Sequence, residues 1–129
     1  LNFVRTGIID TLNVVDKSMV INGIPFYTRV WCTTADGNVS SFACGMAEAL
    51  GYLTDHNVIP QFVEDMGLNY GSYTSEKDGN FYEIWLQDAT AVEEEMKMIK
   101  EFDLAGVAEW KIGFESGSEI WDTIQSYLQ

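Results

Sequence analysis

Two short apolar segments, one near each end of the sequence, constrain the fold more than any other feature. Residues 19–21 follow a predicted amphipathic helix at 2–14, and residues 104–112 lie between predicted helices at 89–102 and 118–128. Short apolar runs are typical of strands that are buried on both faces of a parallel sheet. Helices beside such strands predict the α/β class. Two strands cannot close a sheet, so the pattern indicates part of a larger barrel or sheet.

The segment between these two strands has a different periodicity. Residues 59–64, 69–75 and 81–86 have the composition of short strands, and the sequence Lys77-Asp-Gly-Asn80 before the last of them is typical of a hairpin turn. This part therefore predicts a small antiparallel sheet. Residues 42–56 carry apolar side chains at helical spacing and predict a helix, with Ser40 or Ser41 as its N-cap.

The charge of the chain limits its partners. Twenty acidic residues against 7 basic ones give a net charge of -13. Nucleic acids and anionic membranes are bound through basic patches, so we expect neither as a partner. No apolar run reaches the roughly 18 residues of a membrane-spanning helix. The apolar fraction of 47% is that of a globular domain with a core.

The cysteine and histidine content gives no indication of a metal site. Cys32 and Cys44 are too few for a disulfide framework and lack the spacing of metal ligands. We expect two free thiols, with a Cys32–Cys44 bridge as the alternative. His56 is the only histidine and stands at the end of a predicted helix. The sequence therefore predicts no metal ion and no cofactor.

Three motifs carry a more specific signal. They are Gly23-Ile-Pro-Phe-Tyr-Thr-Arg29 followed by Val30-Trp31, then Tyr82-Glu-Ile-Trp-Leu-Gln-Asp88, and finally Leu104-Ala-Gly-Val-Ala-Glu-Trp-Lys-Ile-Gly-Phe-Glu115. In this order and at this spacing they resemble the seventh strand, the end of the α+β insertion and the eighth strand of family 18 glycoside hydrolases. Asn22 stands where the family commonly has Leu, and Gln87 where relatives often have Glu. The resemblance covers nearly the whole chain.

The resemblance implies the C-terminal fragment of a (β/α)8 TIM barrel that carries a small α+β insertion subdomain. Residues 1–31 would form a helix and strand seven, residues 32–88 the insertion, and residues 89–129 a helix, strand eight and the final helix. The family's Asp-x-x-Asp-x-Asp-x-Glu signature, whose Glu is the general acid, does not occur in the sequence. We therefore predict no catalytic residue in this chain, and we expect the chain alone to be inactive.

The activity that the resemblance implies is hydrolysis of β-1,4-linked N-acetylglucosamine polymers, either chitin or peptidoglycan. In this family the 2-acetamido oxygen of the substrate attacks, which departs from the two-carboxylate scheme. Likeness to the cell-wall and spore-lytic branch favours peptidoglycan and implies an extracellular, cell-wall or spore-associated protein. The alternative is a non-catalytic carbohydrate-binding or self-associating module. The uncovered strand edges of such a fragment predict self-association.

Four residues make up the candidate substrate-binding site. The resemblance places Trp110 under the reactive sugar, and Tyr27, Arg29 and Trp31 along the cleft at the carboxyl ends of the strands. Structural alternatives stay open for all four. Trp110 and Tyr27 could be core residues, and Trp31 could pack against the insertion.

The charged residues near these motifs have their own alternatives. Arg29 could pair with Glu115 or Asp88 instead of lining a cleft. Asp88 or Thr90 is the predicted cap of the helix that follows. We expect Glu109 to face away from the site, because side chains alternate along a strand and Trp110 is its neighbour.

Overall fold

The computed structural model describes residues 1–128, which form four α-helices and seven strands. In chain order these are α1 (Asn2–Leu12), β1 (Ile21–Pro25), β2 (Tyr27–Thr33), β3 (Val39–Gly45), α2 (Met46–Asp55), β4 (Gln61–Val63), β5 (Leu68–Thr74), β6 (Phe81–Leu86), α3 (Ala89–Glu101), β7 (Gly106–Trp110) and α4 (Glu119–Tyr127). A short 3₁₀ turn at Lys17–Met19 leads into β1.

The strands form two separate sheets. Strands β1 and β7 pair in parallel, with Ile21 opposite Gly106 and Pro25 opposite Trp110. The other five strands form an antiparallel sheet in the order β3-β2-β6-β5-β4. The whole five-stranded sheet, together with α2 and α3, lies in the connection between β1 and β7. The predicted mixed α/β class is therefore confirmed.

The parallel pair packs on helices α3 and α4. Val92, Met96 and Ile99 follow one another at helical spacing along α3 and are buried against Ile24 of β1. Phe26, directly after β1, is fully buried in the same cluster, and α4 contributes Ile120 and Ile124. Since helical positions three and four apart share one face, this single stripe of α3 attaches the helix to the parallel pair.

A second core lies between α2 and the five-stranded sheet. Leu53 of α2 is fully buried against Val30 of β2 and Ile84 of β6. A Cβ atom on Gly71 of β5 would lie only 2.7 Å from a methyl group of Leu53. Glycine at this position therefore lets the helix approach the sheet closely, which a larger residue would prevent.

The predicted helix over residues 42–56 is wrong at its beginning. Residues 39–45 form β3, which pairs with β2 in the register Val30 opposite Phe42, and the helix begins only at Met46. Gly45 is the N-cap residue, not Ser40 or Ser41. The four-residue spacing of Phe42 and Met46 suits a helix, but the unpaired edge of β2 offers a full set of backbone hydrogen bonds. Tertiary pairing overrides local propensity here.

The motif expected to be strand seven is divided in the structure. Pro25 has no N–H group to donate, and the N–H of Phe26 donates to the carbonyl oxygen of Trp110 at 2.7 Å. After Phe26 the chain joins the other sheet, where β2 pairs with β3 and β6. Residues 27–31, predicted to continue strand seven, therefore belong to the five-stranded sheet and not to the parallel pair.

Candidate functional site

A cavity of about 440 Å³ opens at the carboxyl ends of β1 and β7. It is lined by Gly23, Ile24, Pro25, Tyr27, Ala108, Glu109 and Trp110. Trp110 is 68% exposed in the part of the chain that the structure describes. Its position is fixed by the parallel register, which sets it opposite Pro25, and its peptide bond to Lys111 is cis. An indole held open to solvent beside a cavity offers a flat apolar surface to a ligand.

Tyr27 links this cavity to the five-stranded sheet. It lines the cavity as the first residue of β2 and is half-buried. Alternate residues of a strand share a face, so Tyr27, Arg29 and Trp31 point to the same side of the sheet. Their neighbours Thr28 and Val30 are buried on the opposite side, towards α2. The structure therefore places Trp110 and Tyr27 together, with Arg29 and Trp31 on the adjoining sheet surface.

We call this surface the open face; it is the side of the five-stranded sheet opposite α2. The register of β2, β5 and β6 assigns to it Tyr27, Arg29, Trp31, Tyr70, Phe81, Glu83 and Trp85. Trp85 lies opposite both Arg29 and Tyr70, and Trp31 lies opposite Glu83. The open face thus carries five aromatic residues, one cation and one carboxylate, and the same register adds the smaller Thr33, Ser72 and Thr74.

Three of these residues form a fixed group. The rings of Tyr70 and Trp85 have centroids 4.4 Å apart at an angle of 44°. The hydroxyl group of Tyr70 donates to Glu83 Oε1 at 2.9 Å. Burial is the main cause that raises the pKa of Tyr70, and the hydrogen bond to Glu83 adds to it. Tyr70 therefore stays protonated and holds the Glu83 carboxylate in place.

Arg29 does not form the ion pair that was expected as an alternative. Its Nη2 and Nε atoms donate to Ser41 Oγ at 2.8 and 3.2 Å, and the guanidinium carbon lies 5.8 Å from the centre of the Trp31 ring. Glu115 Oε2 accepts from the N–H of Gly113 at 2.6 Å. Within residues 1–128, the ion pairs within 4.0 Å do not include Arg29.

Asp88 is the cap of α3. Its Oδ1 accepts from the N–H of Ala91 at 3.1 Å, and its Oδ2 accepts from Asn69 Nδ2 at 2.8 Å. The predicted cap is confirmed, and Thr90 as the alternative is wrong. Both carboxylate oxygens are occupied, so Asp88 acts in the structure by joining α3 to β5.

The two cysteines are free thiols, so the alternative bridge is wrong. The register of β2 with β3 sets Cys32 opposite Ser40 and Cys44 opposite Thr28, so the two are offset along the strands. Burial, and to a lesser extent the Glu48 carboxylate, raises the pKa of Cys44 to about 11. A thiol with such a pKa is protonated and unreactive at neutral pH.

His56 caps the end of α2 and stacks on Tyr73, with ring centroids 3.7 Å apart. Among the residues that the structure describes, no group of His, Cys, Asp and Glu side chains is arranged to hold a metal ion. None of the helices within residues 1–128 is both long and apolar enough to cross a membrane.

Sequence reasoning missed Tyr70 and Glu83 as members of the open face. The alternation of Phe81, Glu83 and Trp85 matches that of Tyr27, Arg29 and Trp31, and this period of two was the available signal. Which strands lie side by side could not be read from the alternation. That information comes from the sheet order, in which β6 separates β2 from β5.

No family model and no curated protein matches the sequence, whereas several solved structures match the fold. The chain is similar to the spore cortex-lytic enzyme SleL of Bacillus megaterium QM B1551, with a TM-score of 0.84 and 23% identity over 96% of this chain and 29% of that chain. It is similar to the C-terminal domain of a predicted chitinase from Desulfitobacterium hafniense DCB-2, with a TM-score of 0.85 and 26% identity over 98% of this chain and 40% of that one.

A class V chitinase from Nicotiana tobaccum in complex with NAG4 also matches, with a TM-score of 0.70 and 16% identity over 91% of this chain and 36% of that one. The chain thus spans about a third of the length of the solved structures that it matches. These matches confirm the resemblance to the C-terminal part of family 18 glycoside hydrolases. The fold is a mixed α/β fold shared with chitinase-like and spore cortex-lytic proteins.

Proposed function

We propose that this chain forms one side of the sugar-binding cleft of a glycoside hydrolase that acts on β-1,4-linked N-acetylglucosamine polymers. The observation that carries the proposal is the continuity between the Trp110 cavity and the aromatic open face, through Tyr27. The C–H faces of pyranose rings pack well on aromatic side chains, so a row of them suits successive sugars. The matched tobacco chitinase was solved in complex with NAG4, which supports this ligand class.

The parallel pair supports a barrel as the parent fold. We infer that β1 and β7 are strands seven and eight of a (β/α)8 barrel, with the five-stranded sheet as the insertion between them. The cavity opens at the carboxyl ends of both strands. Active sites of such barrels are built at that end of the strands. In this proposal the five-stranded sheet forms one wall of the cleft.

The residues in this chain would bind and position the sugar. Trp110 would stack under the reactive ring, and Tyr27, Arg29 and Trp31 would hold the neighbouring units. Attack by the substrate's own acetamido oxygen requires a general acid that protonates the leaving oxygen. That acid would be supplied from outside these residues, so we expect no turnover by residues 1–129 alone.

The spore cortex-lytic enzymes and the sporulation-specific glycosylase among the matched structures support a cell-wall setting. We therefore propose a peptidoglycan substrate and an extracellular, cell-wall or spore-associated protein. Chitin is the alternative substrate, because chitinases match the fold as well. The two glycans differ chemically at every second sugar, where peptidoglycan carries muramic acid.

Calorimetric titration with the N-acetylglucosamine tetramer tests the proposed cleft. We expect Trp110→Ala to lower the affinity roughly 10-fold or more, since it removes the largest flat surface of the cavity. Trp121→Phe is the control, because Trp121 lies on α4 and packs edge-on against Phe26 at 5.5 Å. Equal affinities for the native chain and the Trp110 variant would refute the assignment.

The non-catalytic module remains the second candidate. Within residues 1–128, β1 and β7 pair only with each other, so each has an edge without a partner strand. Phe3 and Ile21 are 92% and 61% exposed on the β1 side. The comparisons give no support to self-association, which stays a prediction. Light scattering at high concentration tests it, and a monomer would count against it.

A further inference from the structure

We propose that Arg29 binds a carboxylate carried by the glycan, so that the cleft prefers an anionic chain of the muramic acid type over a neutral one. The inference rests on the proposed function, because it concerns the same cleft. The feature of the substrate that the cleft would distinguish is the free lactyl carboxylate, which muramic acid carries where no peptide is attached to it.

The guanidinium group of Arg29 has N–H groups that form no hydrogen bond within residues 1–128. Arginine carries five N–H donors. Two nitrogens donate to the neutral hydroxyl oxygen of Ser41, and no bond from Nη1 is formed within residues 1–128. Arg5, the other arginine, is paired: its Nη1 and Nη2 donate to the two carboxylate oxygens of Glu101, both at 2.7 Å. Lys77, Lys100 and Lys111 also form no ion pair within 4.0 Å among residues 1–128, so Arg29 is distinguished by its place on the aromatic open face.

The position of Arg29 is held by its neighbours. Ser41 fixes one side of the guanidinium group, and the Trp31 ring lies 5.8 Å from its central carbon. Trp85 lies directly across the strand pair from Arg29. A planar fork held beside an indole is matched to the two oxygens of a carboxylate. The sugar ring would rest on an indole while its carboxylate meets the cation.

Arg29 is the attractive point for an anion among the seven residues that define the open face. Of the seven residues that define the open face, Arg29 is the only cation and Glu83 the only carboxylate. Glu83 accepts from Tyr70 at 2.9 Å and would repel a misplaced carboxylate. An anionic sugar is therefore directed to one place in the cleft, whereas a neutral sugar has no such preference.

Calorimetric titration of the unsubstituted chain with three tetrasaccharides tests the proposal. The first is neutral chitotetraose, the second alternates N-acetylglucosamine with N-acetylmuramic acid, and the third has the lactyl carboxylates of the second converted to methylamides. We expect the acid to bind more tightly than its amide, and the difference to shrink at high salt as the charges are screened. A derivative with alanine on each lactyl group moves the carboxylate onto the peptide. If that derivative binds as tightly as the acid, the lactyl assignment is overturned.

Substitutions of Arg29 separate the contribution of its charge from that of its planar hydrogen-bonding geometry. Arg29→Gln should weaken binding of the acid about 10- to 100-fold, the range for a hydrogen bond to a charged group. It should weaken chitotetraose and the amide less than the acid, because Arg29 can offer these neutral ligands only hydrogen bonds to uncharged groups. Arg29→Lys keeps the charge without the planar fork and should retain part of the preference. Lys77→Gln, on the exposed hairpin turn, removes the same charge elsewhere and should change none of the three affinities.

The outcomes distinguish this inference from the proposed function. If Arg29→Gln weakens all three ligands equally, Arg29 binds a neutral sugar group, and the inference fails while the sugar-binding function stands. If the native chain binds acid and amide equally well, the inference also fails; this comparison needs no variant. If the native chain binds none of the tetrasaccharides, the proposed function itself fails.

Discussion

The two faces of the five-stranded sheet differ in how far their side chains are buried, although the same strands supply both. The face towards α2 presents Val30, Ile84 and Gly71, all buried. The open face presents Arg29 and Trp31, which remain exposed, beside half-buried Tyr70, Glu83 and Trp85. Aromatic side chains occur on both faces, but Tyr73 and Tyr82 on the α2 side pack against the buried core, whereas Trp31 of the open face is 39% exposed.

This difference separates stability from binding. Burial of apolar area drives folding, so the covered face should determine the free energy of unfolding. The open face retains aromatic surface that a ligand can still cover, and its one arginine lacks a carboxylate partner. Substitutions on the two faces should therefore move two different measurements.

The largest effect on stability should come from the covered face. Leu53→Ala removes a fully buried side chain from between α2 and the sheet and should lower the free energy of unfolding by about 2–5 kcal/mol. Urea denaturation followed by circular dichroism measures the change. A loss below about 1 kcal/mol would show that the covered face does not carry the stability that we assign to it.

Glu95 tests the role of burial in a second way, because its ionisable carboxyl group lies on a packed surface of α3. It lies on α3 and accepts a bond from buried Gln87, at the end of the sheet, at 3.4 Å. Burial raises the pKa of Glu95 to about 7 from the usual 4.5, against the opposing effect of Gln87. The folded state therefore holds the proton more tightly than the unfolded state, and stability should fall as pH rises from about 4.5 to about 7.

We expect Glu95→Gln to remove this dependence. The variant should match the native chain near pH 4 and exceed its stability above pH 7, by up to about 3 kcal/mol. Denaturation at a series of pH values measures the difference. Glu76→Gln, on the exposed turn, is the control. A stability difference that does not vary with pH would contradict the account.

A smaller loss is expected at the junction between α3 and β5. Asp88→Ala removes the cap of Ala91 and the bond from Asn69, and should cost about 1–2 kcal/mol. Asp88→Asn keeps a capping oxygen and should cost less. Thermal denaturation of the two variants compares them. Equal losses would mean that the negative charge, and not the cap, is what stabilises this junction.

The smallest effect on stability should come from the open face. Trp31 is 39% exposed, and Trp31→Ala should change the free energy of unfolding by about 1 kcal/mol or less. The same variant should weaken binding of the N-acetylglucosamine tetramer. If Trp31→Ala unfolds the chain as strongly as Leu53→Ala does, the separation of the two faces is wrong.

The sequence was informative where periodicity and capping act locally. The helix predicted at 89–102 is α3 at Ala89–Glu101, and Asp88 caps it as predicted. The prediction for the start of the helix at residue 42 was wrong because strand pairing, a tertiary effect, determines the structure of residues 39–45. The expected acidic partner of Arg29 was wrong for a related reason. Glu115 and Asp88 are satisfied by local backbone N–H groups, and the spacing of residues in the sequence does not reveal such competition.

The indole N–H signals of the four tryptophans offer the most direct test of the central claim, that the open face and the Trp110 cavity form one sugar-binding surface. Trp31 and Trp85 lie on the open face, Trp110 lines the cavity, and Trp121 lies on α4 against Phe26. In a nitrogen-15 NMR titration with the N-acetylglucosamine tetramer, we predict that the first three signals move and that Trp121 does not. Movement of Trp121 alone, or of none of the four, would contradict the account.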